Sequence, residues 1–558
     1  MTVQGVLHFH QQAQVKTAAE PQTGAWTAHS REERWALLLL FVCLAVGGAL
    51  RIWKFGYYPA GFNMDESGSI YDAWSLAHYG VDRWRIPYPI YFNNYRTGQS
   101  GLIIYCIMFW FKLFGYNPVT MRLPALINSF VLALSGVGLF GTVWENRYRI
   151  RNIYAQAAYA FLWMIAPYTM LEARFSLDCN LLNGTIMLTL FLLCLSMKKK
   201  KIRLFVLSGA VAGLSLYCYA VNYMMMPIFL VICLLYLLRV KAITGRQIAA
   251  VAIPVLILAF PLMCEEGINI IGAKPFRLGL FSITIVPDYR IGEVTIDNIP
   301  ENFLLTLKSA LMYDNIDYNS TSKYWNFYPI TVPFVVVGAV VMIRRFVSDW
   351  KEKAWQSDLP VLFWFFASLI VGSCLGHHGE SGKNPNVNKI NGIFPAIMFL
   401  AVVGFLWCVS KLRKVQWKRV FIIAVTGIYL CWGVSFFHYY FTDYQPTNLW
   451  GYYFPEALSY IQSNEKISKK PLLMENEYIF YLNSALPSPY DFDVENNDFP
   501  GTVFVDRSHL LEAVQTDYGY GVNYLLLHRV ITDELRQAFQ DLGYQSKEFG
   551  EYTLYYYE

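Results

Sequence analysis

Charge is scarce in this chain. Only 15% of its 558 residues are Asp, Glu, Lys or Arg and 55% are hydrophobic, whereas a soluble protein carries about 25% charge. A water-soluble enzyme is thereby excluded, and a polytopic membrane protein is expected. Cysteine is thinly used: there are ten, all in or beside apolar runs, with none beyond Cys431 and no Cys-x-x-Cys spacing. That excludes a disulfide framework and a thiolate metal site. The first 30 residues contain no apolar stretch, so they read as a cytoplasmic tail rather than a cleaved signal. No internal repeat is visible, which weighs against the repeat-built transporters. The net charge of +5 is dispersed in short runs between apolar segments, which excludes a nucleic-acid partner.

Long apolar runs are what the chain has instead. They fall at 35–53, 121–143, 153–171, 181–197, 204–220, 224–239, 247–264, 328–343, 359–375, 390–408 and 418–437, about eleven membrane-spanning helices. Alternate connections are basic: Arg147, Arg149 and Arg151; Lys198 to Lys201 with Arg203; Arg239, Lys241 and Arg246; Arg344, Arg345, Lys351 and Lys353; Lys411 to Arg419. With eleven spans these share one side, which the positive-inside rule places in the cytoplasm. The expected organisation is a cytoplasmic tail over 1–34, a transmembrane unit over 35–437 and an outward α/β domain over 438–558. The apolar stretch 101–115 is too short to span and would invert every later loop if it did. It is expected to lie on the outer leaflet, as is a helix near 68–80. In the outward domain, helices are expected at 454–464 and 531–541, with strands at 472–474, 502–505, 524–527 and 553–557.

The first outward loop holds an acidic doublet, Asp65 and Glu66, directly after the first span. Adjacent carboxylates beside an apolar wall are costly unless used or paired. A plain alternative is that they cap the following helix, since acids favour a helix N-terminus. Three further stretches carry candidates. Glu172-Ala-Arg174 to Asp178 ends the third span, and Arg174 has the geometry to hold a phosphate, with Asp178 orienting it or binding a divalent ion. A surface pair among Glu172, Arg174 and Asp178 is the competing reading. Arg96 and Gln99 precede the 101–115 helix, where Arg96 could instead meet lipid headgroups. Loop 376–389 offers His377, His378 and Glu380 as metal ligands by type and Lys383 and Lys389 as phosphate partners, leading to Asn391; a mobile loop is the alternative.

Asn63-Met-Asp-Glu66, Tyr95-Arg-Thr-Gly-Gln-Ser-Gly-Leu102, Phe111-Lys-Leu-Phe-Gly115 and Met121-Arg-Leu-Pro-Ala125 together resemble the GT-C class of membrane glycosyltransferases, and within it the protein-O-mannosyltransferase and aminoarabinose-transferase group. The resemblance spans roughly residues 35–200; beyond them it rests on hydropathy. It implies an all-α GT-C fold and inverting transfer of a monosaccharide from a polyprenyl-phosphate donor to a glycan, lipid or protein acceptor, on the outer face of the membrane; the cysteine-free outer domain and compact spans point to a bacterial plasma membrane. Carried over by motif, Asp65 would be the general base with Glu66 in support. Arg96, Gln99, Arg174, Asp178, Lys383 and Lys389 would lie around the donor phosphate, and His377, His378 and Asn391 around the substrates. Gln99 stands where relatives often have a basic residue. The resemblance admits a divalent metal ion without naming its ligands. A lipid-linked saccharide flippase, or a polysaccharide polymerase or ligase, are the competing readings. A carrier would place ionisable residues near mid-membrane, whereas these charges gather at the outer ends of spans and in loops.

Overall fold

Every apolar run of the sequence becomes a helix in the computed structural model, which describes residues 31–288, 293–294, 296, 298–313, 318–375, 385–446, 449–475, 478–517 and 521–557. The bundle comprises α1 (Arg31–Ile52), α4 (Pro118–Val143), α5 (Asn152–Ile165), α7 (Asn180–Lys199), α8 (Ile202–Ser215), α9 (Asn222–Arg239), α10 (Gly245–Ile271), α12 (Thr331–Glu352), α13 (Leu359–Ser373), α14 (Phe394–Lys411) and α15 (Val415–Thr442); α2 (Met64–Tyr79), α3 (Leu102–Phe114), α6 (Pro167–Leu171) and α11 (Ile299–Leu311) lie between them. Among the described residues eight of these are long and apolar enough to cross a membrane; α5, α8 and α13 are shorter. Pro167, which has no N–H to donate, ends α5 and starts α6. The chain is an all-α polytopic membrane protein with a small C-terminal sheet.

The basic connections meet at one end of the bundle. Asp358, at the foot of α13, receives Arg147 from the α4–α5 turn at 2.6 Å and Arg345 from α12 at 2.8 Å. Lys198 pairs with Glu145, Lys200 donates to the Ala242 carbonyl, and Arg239 lies over Trp350. Burial alone would raise the Asp358 pKa, but the two guanidinium groups outweigh it and hold the carboxyl below its usual range. The resulting stability is complete above the unfolded-chain value of about 3.9 and is lost as pH falls through the lower folded value. Asp358→Asn is expected to cost about 2 kcal/mol at pH 7, a drop in thermal midpoint that narrows below about pH 4. A pH-independent difference would refute this account of the pair.

At the opposite end lie α2, α3, α11 and two hairpins, β1 (Tyr91–Asn94) with β2 (Thr97–Ser100) and β3 (Phe276–Leu278) with β4 (Phe281–Ile283). The sequence predicts the second of the amphipathic helices at 101–115, close to α3, but starts the first near 68. Asn63 accepts from the Asp65 N–H at 2.9 Å and opens α2 four residues earlier.

The C-terminal sheet has five strands, β5 (Leu472–Glu475), β6 (Thr502–Val505), β7 (Asn523–Leu527), β8 (Gln545–Phe549) and β9 (Tyr552–Tyr556), in the order β6-β5-β7-β9-β8. β5 runs parallel to β6 and β7, and the β7–β9 and β8–β9 pairs are antiparallel. β8 escapes the sequence reading because it is an edge strand of exposed polar residues with no apolar alternation. The sheet unit docks on α2. Asn483 donates to the Ser67 carbonyl, Tyr71 to that of Pro487 and Arg85 to that of Pro489.

Candidate active site

Asp65 sits in the first turn of α2 with its carboxylate exposed. The β1–β2 hairpin holds it: the Asn94 amide donates to Asp65 Oδ1 at 3.0 Å and the Gln99 amide to the Asp65 carbonyl at 3.3 Å. The next residue, Ser100, donates its backbone N–H to Asp178 Oδ2 at 3.3 Å. One short strand end therefore brings together two carboxylates more than a hundred residues apart in sequence. Both bear on Tyr318, whose phenol is pushed well above its usual range by burial and then by Asp65, so it stays protonated. Tyr318 accepts from Asn388 and lies edge-on to Phe175. The Cys179 thiol is likewise raised, by burial and then by Asp178, and is no nucleophile.

Glu66 takes a different part. It is fully buried, its two oxygens accept from Arg122 Nε at 2.9 Å and Nη2 at 3.0 Å, and Ser176 N–H adds a third bond at 2.9 Å. Arg122 also donates to the Pro59 and Gly61 carbonyls. The second acid of the doublet thus ties α2, α4 and the 172–178 segment together, and its carboxylate is spent on structure.

Arg174 departs from its expected place at the donor phosphate. It is fully buried and donates to the carbonyls of Leu50, Trp53 and Tyr58 at 2.8, 2.6 and 3.1 Å. The last carbonyls of a helix have no intrahelical donor, and a guanidinium at the C-terminal end of α1 satisfies them and the helix dipole together. Asn391 is also corrected. It is fully buried and donates to the Cys179 carbonyl at 2.8 Å. It belongs to a chain of asparagine amides, 180, 183, 319, 388 and 391, that fastens the 385–391 and 318–321 segments to the start of α7. Asn183 and Asn319, both in Asn-x-Thr sequons, are buried in this chain and are not glycan acceptors in the folded protein. Lys389 is paired with Glu293 at 2.6 Å, which anchors its loop. Lys383, His377, His378 and Glu380 lie outside the described residues.

Arg96 is an exposed cation on the same hairpin as Asn94 and Gln99. It sits at the hairpin tip, where Tyr95 and Arg96 both have positive φ, and pairs with Asp288 at 3.1 Å. Side-chain exposures of 69% and 51% make that pair worth only about 0–1 kcal/mol, so the guanidinium is cheaply released to an anion. On the same hairpin Asn94 Oδ1, Gln99 Oε1 and Ser100 Oγ are buried without a hydrogen-bond partner among the described residues; each would accept from a hydroxyl donor, as would suit a polyol. Among the described residues no three His, Cys, Asp or Glu side chains are gathered as a metal site. Asp65 and Asp178, with these amide oxygens, are the hard-oxygen donors suited to a divalent ion.

The sequence offered no pointer to Asn94, Tyr318 or Asn388. The hairpin lacks an Asn-Gly turn, and the other two lie far along the chain in polar loops.

No protein-family model matches the sequence, and no curated protein matches it. Solved structures do match in fold. Over 94% of this chain and 98% of theirs, the structures of ArnT from Cupriavidus metallidurans superpose with TM-scores of 0.53 (bound to undecaprenyl phosphate, 12% identity) and 0.51 (apo, 13% identity). The archaeal oligosaccharyltransferase AglB from Archaeoglobus fulgidus, in complex with an inhibitory peptide and a dolichol-phosphate, superposes with a TM-score of 0.51 at 13% identity over 95% of this chain and 74% of its own. At such identities the likeness is one of architecture, and the architecture of this chain is that of the GT-C membrane glycosyltransferases.

Proposed function

We propose that the chain is an inverting glycosyltransferase that moves a monosaccharide from a polyprenyl-phosphate carrier to an acceptor hydroxyl on a glycan, lipid or protein. The reaction takes place at the membrane face opposite the basic loops, the outer face of a bacterial plasma membrane. The observation that carries the reading is the exposed residue Asp65, held by Asn94 of a hairpin whose Ser100 N–H holds Asp178 and whose tip carries Arg96. The fold neighbours support it, since one is bound to undecaprenyl phosphate and another to a dolichol-phosphate.

In this mechanism Asp65 takes the proton of the acceptor hydroxyl as its oxygen attacks the anomeric carbon. The lipid phosphate leaves from the opposite face of the sugar, and Arg96, released from Asp288, stabilises its charge. A divalent ion held by Asp65 and Asp178 would add positive charge at the leaving phosphate. Gln99 and Asn94 orient Asp65 and offer their carbonyl oxygens to sugar hydroxyls. Glu66, Arg122, Arg174 and Asn391 are positioning residues.

Purified full-length protein in liposomes, given a radiolabelled polyprenyl-phosphate sugar and a membrane extract, is expected to produce a covalently labelled acceptor. A nucleotide sugar is expected to produce none. Movement of the labelled lipid across the bilayer without covalent transfer would establish the carrier reading instead. Arg96→Ala is expected to lower kcat/KM for the donor at least about tenfold, the equivalent of 1.4 kcal/mol, with kcat reduced as well as KM raised. An unaltered kcat/KM would remove Arg96 from the donor site.

A further inference from the structure

A cleft of about 820 Å³ opens between α15 and the wall formed by α1, α5 and α14, toward the basic end and away from Asp65. Its origin is the tilt of α15. Near the Asp65 end that helix packs closely: Gly433 lies where a Cβ would run into Ile165, and Phe436 and Tyr440 are fully buried. Toward the other end it parts from the bundle, and no residue of α15 before Val425 is buried. The wedge so formed is apolar, lined by Val42 and Val46, Ala157 and Phe161, Phe405 and Ile422. α15 borders it from Val415 to Leu430, about 22 Å at the helical rise of 1.5 Å per residue. That exceeds one leaflet's share of the hydrocarbon core, about 15 Å.

Three cations stand at the mouth, Arg149, Lys418 and Arg419, and among the described residues no carboxylate lines the cleft. Among the described residues none of the three makes an ion pair or a side-chain hydrogen bond. Unpaired cations above an apolar slot one acyl chain long complement a phosphate attached to a hydrocarbon tail.

We propose that this cleft is a binding site for an anionic phospholipid of the leaflet facing the basic loops. One acyl chain lies between α15 and α5, and the headgroup phosphate lies among Arg149, Lys418 and Arg419. A sugar donor seated there would be at the wrong end of the bundle to meet Asp65. The inference therefore stands independently of the transferase reading. Bound lipid would fill the wedge and fix the free half of α15.

The test is native mass spectrometry of the delipidated full-length protein offered equimolar phosphatidylglycerol and phosphatidylcholine. Phosphatidylglycerol is expected to be retained at least about tenfold over phosphatidylcholine, given roughly 1 kcal/mol per cation at an anionic surface. Arg149→Ala, Lys418→Ala and Arg419→Ala combined are expected to bring the two lipids to parity. Ile422→Trp, a surface change that fills the slot, is expected to reduce retention of both. Equal retention by the wild type, or phosphatidylglycerol retention unchanged in both variants, would overturn the site. So would displacement of phosphatidylglycerol by an equal concentration of glycerol phosphate, which would mark an anion site without a tail. Retention only in protein lacking residues 1–30 would also overturn it, because the chain's own N-terminal segment would then be the occupant.

Discussion

Asp65→Asn is expected to lower transfer from the lipid donor by about 10²- to 10⁴-fold, the usual worth of a positioned general base, while the protein unfolds at the wild-type temperature. The substitution keeps the size of the side chain, and the cap from Asn63 uses only the backbone N–H of residue 65, so α2 still starts in the same place. Residue 65 is exposed, whereas Glu66 is fully buried. What the amide cannot do is take a proton from the acceptor. Transfer at the wild-type rate would eliminate Asp65 as the base. If Asp178→Asn were then the inactive variant, the base would be the other carboxylate held by the hairpin. Rate and thermal midpoint measured together separate the chemical role from a structural one.

The neighbouring acid is expected to behave in the opposite way. Glu66→Gln leaves Arg122 buried without its counter-charge, a change that costs about 3–5 kcal/mol when one partner of a buried pair is removed. Its first effect is on stability and on expression in the membrane. Arg122→Met alone strands the Glu66 carboxylate and is expected to be as damaging. Glu66→Gln with Arg122→Met removes both charges and is expected to be milder than either single change, because no uncompensated ion remains. A double-mutant cycle on thermal midpoints reads this directly. Additive losses would show that the pair is not the clamp joining α2 to α4. Loss of transfer with an unchanged midpoint in Glu66→Gln would make Glu66 a participant in the chemistry.

In the proposed mechanism two adjacent acids divide into a reagent and a brace, and sequence proximity does not distinguish them. On α2 successive residues are about 100° apart around the axis. Asp65 turns toward the hairpin and solvent, and Glu66 turns inward to Arg122. The same reasoning covers Arg174. An arginine at the outer end of a span meets the requirements of a phosphate ligand and of a helix-end cap equally well. The carbonyls of Leu50 and Trp53, which belong to another helix, decide which it becomes.

Hydropathy and charge determined by themselves that this is a multi-pass helical membrane protein, where its long apolar helices lie, and that its basic loops share an end. Those are local properties: an apolar run must bury its backbone polar groups in a helix to enter a bilayer, and the interval between basic clusters follows from the number of crossings. The pattern around Asn63–Glu66 and Met121–Ala125 also pointed to the GT-C architecture. Only the tertiary structure decided which polar residues are free. It drew Asp65 and Asp178 to one hairpin, locked Arg174 and Asn391 inside, and splayed α15 to open a cleft at the basic end. A buried polar group is satisfied by whatever donor or acceptor the packing of distant helices brings within about 3 Å, and that information is not carried by any one segment of the chain.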